Sequence, residues 1–292
     1  MTLSDRLPQH PLDEAIALKH LADSGAPAAE DPSGAFGTFE GHTHPDYGNM
    51  VGPFGGITAA QVLQAVLQHP QRLGDPVSLT VNFAAGLHEG SFRVEAHPIR
   101  TNRSTQHWSM TLWQAGADGQ DAVMLTATAV TAVRRKTWSS VETPMPQAVP
   151  ASEIPPVPLT DMVRWVNRYD MRLVTGNLPT RWDGAESDSL TQLWLRDNPP
   201  RPLDYAGLTG LADAFFPRIW LRRAVMAPIG TVSMTVYYHA GPEELSTAGE
   251  DHLFGQARTQ SFFNGYFDQS AQLWSRSGHL LVTTHQIVYY KE

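Results

Sequence analysis

Hydrophobic and polar residues alternate through four successive stretches, Val77–Phe83, Ser91–Arg100, Thr105–Gln114 and Ala122–Arg134. That is the pattern of half-buried antiparallel strands. Ahead of them, Ile57–Gln68 spaces Ala59, Ala60, Leu63 and Leu67 as one buried stripe on a helix. A Gly/Pro-rich turn, 48–56, leads into that helix, and Gly116-Ala117-Asp118-Gly119 reads as a hairpin turn between two strands. Near the start, Pro11–His20 predicts a short amphipathic helix with Leu12, Ala15 and Ile16 on one side, and Ala26–Gly34 predicts a loop. The same order then returns. Extended pieces, Met162–Leu173 and Ser189–Leu195, precede a helical pattern over Tyr205–Trp220. Strands follow at Thr231–His239, Leu253–Ser261, Gly265–Ser275 and Leu280–Tyr290.

The return is visible residue by residue. Val77–Gly86 lies over Val232–Gly241 at a constant offset of 155, with six of ten pairs identical. Gly56-Ile57-Thr58 likewise lies over Gly207-Leu208-Thr209, and the last strands, around Leu125 and Leu281, each follow a glycine-bearing turn. Three matching windows in one order predict two copies of one unit, each a long helix followed by four antiparallel strands. Between them, Pro144, Pro146, Pro150, Pro155, Pro156 and Pro158 oppose both helix and central strand. The expected organisation is a first unit over 1–136, a linker over 137–160 and a second unit over 161–292.

Length and composition narrow the function classes. A chain of 292 residues can bury a core in two domains. A net charge of −8 argues against a broad nucleic-acid surface. With no cysteine, disulfides and thiolate chemistry drop out. No apolar run is long enough for a signal peptide or a membrane span, so a soluble, cytoplasmic protein is expected. His42-Thr43-His44-Pro45-Asp46 could begin a metal site, but no His-Glu-x-x-His or comparable partner motif accompanies it. Ser78, Ser104 and Ser233 lack a Gly-x-Ser-x-Gly setting. No motif implies a metal or a cofactor.

Phe54-Gly55-Gly56 with Gln61 following, Thr231 heading a strand that ends in Tyr237-Tyr238-His239, and the closing run Gly278–Gln286 together resemble the acyl-CoA thioesterase II family over roughly 36–291. The resemblance implies an α+β double hotdog fold, two tandem units each with a long helix wrapped by a curved antiparallel sheet. It implies hydrolysis of acyl-CoA to a free fatty acid and coenzyme A, without a cofactor. By that resemblance Asp213, in Leu211-Ala212-Asp213-Ala214-Phe215, Thr231 and Gln286 hold the hydrolytic water, with Ser233 the alternative hydroxyl. Two copies in one chain form internally the dimer that single hotdogs make, and further homo-oligomerisation is compatible with this.

The residues themselves support an asymmetric site. Opposite Asp213, Thr231 and Gln286 the first copy has Val62, Pro76 and Val130, all non-polar. A thioester carbonyl is activated enough for an ordered water and a carboxylate base. Oxyanion donors at a helix start would complete the site, either at Gly55-Gly56 or near Gly207. For coenzyme A phosphates the basic candidates are Arg100, Arg103, Arg134, Arg135 and Lys136, Arg103 foremost, with Arg218, Arg222 and Arg223 as a second group. Aromatics such as Tyr237, Phe262, Phe267 and Trp274 suit an acyl tunnel or ordinary core. Two other readings compete. One is an acyl-CoA or acyl-carrier binding protein without catalysis. The other is a hydratase, which wants a histidine with a carboxylate at the helix; His239 and His285 are poorly placed for it.

Overall fold

The computed structural model describes residues 9–21, 37–116, 119–161 and 163–292. The loop expected over Ala26–Gly34 and the centre of the Gly116–Gly119 turn lie outside the described residues. After α1 (Pro11–Ala15), the first copy comprises β1 (Lys19–Leu21), β2 (Gly37–His42), α2 (Gly55–Gln68), β3 (Asp75–Phe83), β4 (Ser91–Thr101), β5 (Thr105–Ala115) and β6 (Asp121–Ala132). The second copy opens with β7 (Tyr169–Thr175), β8 (Thr191–Asp197), α3 (Tyr205–Leu211) and α4 (Arg218–Arg223). It continues through β9 (Ile229–Tyr238), α5 (Pro242–Ala248), β10 (Leu253–Arg258), β11 (Phe262–Phe263), β12 (Tyr266–Trp274) and β13 (Leu280–Tyr290).

All the main strands join one antiparallel sheet in the order β1-β2-β4-β5-β6-β3-β9-β13-β12-β10-β8-β7. Read inward from either end, the two halves have the same order. They meet where β3 pairs with β9, and there Thr80 stands opposite Thr235 with their hydroxyls 3.0 Å apart. These two residues differ by the 155 that relates the sequence copies, so the pseudo-twofold axis passes between them. The central helices α2 and α3 pack on each other, and α2 lies against β2, β3, β4 and β5. The core is the inward parity of the strands (Leu79, Val81, Val94, Trp108, Met110) against the stripe of α2 (Ala59, Leu63, Val66). Trp108 is fully buried and its indole N–H donates to Thr131 Oγ1 at 3.1 Å, meeting its one polar need. This is the duplicated unit that the repeat predicted, in the double hotdog architecture that the resemblance implied.

The structure corrects several element readings. The helix expected over Tyr205–Trp220 is two helices, broken across 212–217. Proline at 217 has no N–H to give the turn and disfavours helical backbone at Phe216, so the chain leaves the helix and restarts at Arg218. The first helix ends at Ala15, and His20 belongs to a strand. Arg164–Arg168 is a 3-10 turn rather than extended. Helix α5, capped at Gly241 by Glu244, was not expected. Register also replaces one repeat pairing. Leu79 pairs with Ala129 where the equivalent Met234 pairs with Gln286, so the counterpart of Gln286 is Ala129, one residue from Val130.

The proline-rich stretch carries no strand, yet it is fastened down. Met145, Ala148, Ala151 and Ile154 pack on Trp194, Phe254 and Trp274, whose indole N–H groups donate to Val149 O (2.8 Å, Trp194) and Thr143 O (3.3 Å, Trp274). At the other end of the chain, buried Gln61 of α2 donates to Ala15 O at 2.7 Å and His42 O at 3.2 Å, tying α1 and β2 to the core helix. Gln61→Leu strands both carbonyls and is expected to cost about 1–3 kcal/mol. Urea denaturation measures this, and an unchanged midpoint would show that the two carbonyls are satisfied without Gln61.

Candidate active site

The break after α3 determines where Asp213 goes. The Asp213 N–H still bonds Gly210 O (3.2 Å), but the next turn is not helical, with the Phe215 N–H returning to Asp213 O at 2.7 Å. The side chain therefore leaves the helix end and meets the start of α2 in the other copy. Two glycines permit the approach. A Cβ at Gly56 would stand 2.9 Å from Asp213 Cβ and 2.6 Å from the Phe54 ring, and one at Gly55 would stand 3.0 Å from Asp213 Oδ2. Helix α2 has no side-chain cap and no acid in its first turn. The Asp213 carboxylate supplies that negative charge from outside, where the helix dipole favours it.

Gln286, buried in β13, donates through Nε2 to Asp213 Oδ1 at 2.6 Å and lies 3.5 Å from Met234 Sδ. Burial pushes the Asp213 carboxyl up to about 7, while the Gln286 hydrogen bond and the Gly56 N–H hold it below where burial alone would take it. Its acid and base forms are thus both populated near neutral pH, as a general base requires. A second buried carboxyl stands nearby. Burial pushes Asp197 up to about 7, and among the described residues its Oδ1 has no hydrogen-bond partner, like the hydroxyls of buried Tyr47 and Tyr169. A Cβ at Gly210 would lie 2.8 Å from Tyr169 Oη, and Asp213 is among the charges that raise the Tyr169 pKa after burial itself.

The structure thus brings Asp213, Gln286, Gly55 and Gly56 together. Thr231 lies two rungs further along the sheet. Its partner across the strands is Val288, which is buried, so Thr231 takes the inward face, half-buried, with no hydrogen bond to Asp213 or Gln286. An irregularity at Val232 produces this: Ser233 pairs with exposed Ile287 and its hydroxyl donates outward to Asn82 Oδ1 at 3.0 Å. The helix start beside the carboxylate is Gly55-Gly56. Gly207 donates instead to its own cap, Asp204, at 2.7 Å.

The basic candidates are dispersed. Arg103 sits exposed in the β4–β5 turn, beside Thr105, which pairs with Ala132 and through it with Asp75 at the head of β3. Gly55 lies against Phe83 at the other end of that strand, about 25 Å away at roughly 3.3 Å per residue. Arg134 donates to Tyr238 O at 2.6 Å and Pro76 O at 3.0 Å, joining the copies. Arg218 is fully buried, which lowers its pKa to about 9. Its guanidinium donates to Phe216 O, Ser189 O and Thr191 Oγ1 and so pins the broken stretch that carries Asp213. His44 caps a 3-10 turn through Asp46 N and faces Glu14 at 3.5 Å, while His42 touches Ser91. Among the described residues no group of His, Asp and Glu is arranged to hold a metal. No described helix is long and apolar enough to cross a membrane.

Sequence reasoning missed what Gly56 does for Asp213, since two adjacent glycines before a helix usually signal only a turn. It also missed Tyr169 and Asp197, which are brought opposite each other on β7 and β8 by strand register alone. Gln269 was findable: it occupies the inward parity of β12 with Phe267 and Ala271, where an apolar residue is the rule.

Residues 43–132 match the family model for the acyl-CoA thioesterase N-terminal domain, and residues 142–290 that for the C-terminal domain. A solved protein of unknown function with a hotdog fold from Alicyclobacillus acidocaldarius is 43% identical, covering 97% of this chain and 99% of its own, at a TM-score of 0.85. A putative thioesterase II from Thermobifida fusca is 18% identical over 98% of this chain and 99% of its own, with a TM-score of 0.76. An acyl-CoA thioesterase II from Mycobacterium marinum is 16% identical over 96% and 98%, with a TM-score of 0.69; these last two likenesses concern the fold. No curated protein matches the chain.

The raised Asp213 pKa has a thermodynamic consequence. An unfolded aspartate titrates near about 3.9, so between there and about 7 the folded state binds the proton more tightly, and stability falls as pH rises across that window. Asp213→Asn removes this loss. Its stability relative to the wild type should be higher at pH 8 than at pH 4 by on the order of 4 kcal/mol, measured by urea denaturation at both values. A pH-independent difference would mean that Asp213 titrates normally.

Proposed function

The chain belongs to the acyl-CoA thioesterase family, and we propose that it hydrolyses acyl-CoA to a free acid and coenzyme A at the Asp213–Gln286 pair. The observation that carries this reading is a buried carboxyl, poised near neutrality, hydrogen-bonded to Gln286 and set against the start of α2. Asp213 takes a proton from water as the water oxygen bonds to the thioester carbon. Gln286 uses its amide N–H to hold Asp213, which leaves its carbonyl oxygen to accept from that water. The first-turn N–H groups of α2 that lack an intrahelical partner face the oxyanion. When the tetrahedral adduct collapses, the C–S bond breaks and the thiolate recovers the proton from Asp213.

Thr231, on the inward face beside Val288, is assigned to the water's surroundings rather than to Asp213 itself. Hydratase chemistry has less to stand on, because His239 and His285 are both exposed on the outer side of their strands, bonded to Thr283 and facing Asp268.

Free thiol release from a panel of acyl-CoA esters tests the proposal. Asp213→Asn is expected to lower kcat/KM by about 10²–10⁴-fold, Gln286→Leu by less, and Thr231→Val least. In the wild type kcat/KM should rise about tenfold per pH unit below about 7 and level off above it, since only the ionised carboxylate accepts the proton. Turnover by Asp213→Asn at the wild-type rate would sink the site assignment.

A further inference from the structure

Beyond the reacting groups, the second copy carries a polar line that the first copy lacks. Gln286 pairs with Gln269 on β12, and both are buried on the inward face. Arg258 pairs with Ser270, so the next residue, Thr259, lies beside Gln269. The Thr259 N–H in turn donates to Ser189 Oγ at 3.1 Å. Gln286, Gln269, Thr259 and Ser189 therefore cross the sheet in one row, all buried. The corresponding row of the first copy reads Ala129, Trp108 and Pro98, each buried and apolar at its core-facing position. Polar groups on an inward face cost free energy unless they are satisfied. One here is not: among the described residues Thr259 Oγ1 is buried without a partner.

The row ends in an open groove of about 550 Å³ that Ser189 and Thr259 line together with Gln260, Ser261, Arg222 and Arg258. Its lining carries two acids, Glu186 and Asp188, and two arginines, Arg222 and Arg258. Glu186 is taken by Arg222 at 2.8 Å, and Asp188 accepts the Leu190 N–H at 2.8 Å. Arg258 has no ion-pair or hydrogen-bond partner among the described residues. Below the floor, the buried Arg218 guanidinium donates to the carbonyl of Ser189, and its neighbours are carbonyls and a hydroxyl, with no carboxylate. Arg222 and Arg258 at the groove with Arg218 beneath it thus outnumber Glu186 and Asp188 by one positive charge, and Arg258 is the groove arginine left without an ion-pair partner among the described residues.

We propose that this groove binds the anionic end of the thioester substrate, with the polar row carrying the connecting arm. The inference rests on the thioesterase reading. Two strand spacings separate Gln286 from Thr259, about 10 Å. Two parts of such a substrate reach an anion from the reacting carbon. On the thiol side, coenzyme A puts its first phosphate roughly thirteen bonds from sulfur, about 15 Å when extended, along an arm with two amides. On the acyl side, a terminal carboxylate on a short chain arrives over a similar span. Either presents anionic oxygens to Arg258.

Steady-state kinetics with four esters separates these sources: hexanoyl and adipoyl groups, each on coenzyme A and on N-acetylcysteamine, which has no phosphate. Arg258→Ala is expected to raise KM about tenfold with kcat kept, and Arg258→Lys to restore part of it. A rise confined to both coenzyme A esters assigns the groove to the phosphates. A rise confined to both adipoyl esters assigns it to an acyl carboxylate. Unchanged KM for all four overturns the groove. Should the wild type hydrolyse none of them, the thioesterase reading fails separately. Titration calorimetry with adipoyl-CoA, which bears both anions, then decides: equal affinity for wild type and Arg258→Ala overturns the groove, and a tenfold loss upholds it.

Discussion

The pairing of β3 with β9 is the contact on which the molecule's other features depend. A lone copy would end its sheet at that strand, with a row of open N–H and C=O groups. Here each copy satisfies the other, and the antiparallel register places equivalent threonines, Thr80 and Thr235, face to face. That register sets more than the sheet. Two copies related by this axis lay their central helices side by side in opposite directions, so the start of α2 meets the end of α3. Asp213 meets Gly56 for this reason, although they stand 157 positions apart in the chain.

What forms at that meeting is costly by itself. A carboxyl buried beside Phe54 and Phe83 at the start of α2 loses its hydration, which is why its pKa climbs. The compensation is partial. One amide from Gln286 and one backbone N–H from Gly56 favour the charge, and the helix dipole adds to them, yet the carboxyl still titrates near neutrality. A fully compensated carboxylate, held by an arginine, would be a poor base. The Arg172–Asp170 pair on β7 shows the contrast: burial raises the Asp170 pKa, and the hydrogen bonds from Arg172 together with the charge of His252 outweigh it, so the pKa falls below the ordinary value. Keeping arginine away from Asp213 while pinning its loop through Arg218 separates support from neutralisation.

Strand parity and the repeat were readable because they are local or self-referential. Alternation needs only neighbouring residues, and the match of Val77–Gly86 to Val232–Gly241 needs only the chain itself. Asp213 and Gln286 drew attention as polar residues in apolar runs, and Asp213 sits where it does because Pro217 ends the helix, a signal present in the sequence but outweighed there by the apolar periodicity around it. The placement of Arg103 was not readable. Its distance from Gly55 follows from which end of β3 each adjoins, and that is a property of strand register, which periodicity does not encode. The inward position of Thr231 depends likewise on an irregularity at Val232, invisible to a strict two-residue period.

The pseudo-twofold axis makes two equivalent positions, and the proposed site uses one of them for a reason that lies at the helix starts. At Gly55-Gly56 the first turn of α2 has no side-chain cap, so its N–H groups face Asp213 and whatever binds beside it. At Gly207 the first turn is capped: its N–H donates to Asp204, and Arg201 holds Asp204 at 2.6 Å and Asp13 at 2.7 Å. Leu12 of α1 closes the space, 3.5 Å from where a Gly207 side chain would begin. Opposite it, Val62 replaces the aspartate and Ala129 the glutamine. A helix start whose Gly207 N–H is held by its own cap has one donor fewer for an oxyanion, and a valine has no proton to exchange. In the proposed site the first copy therefore contributes its helix start, while the second contributes the carboxyl, the amide and the polar row leading away from them.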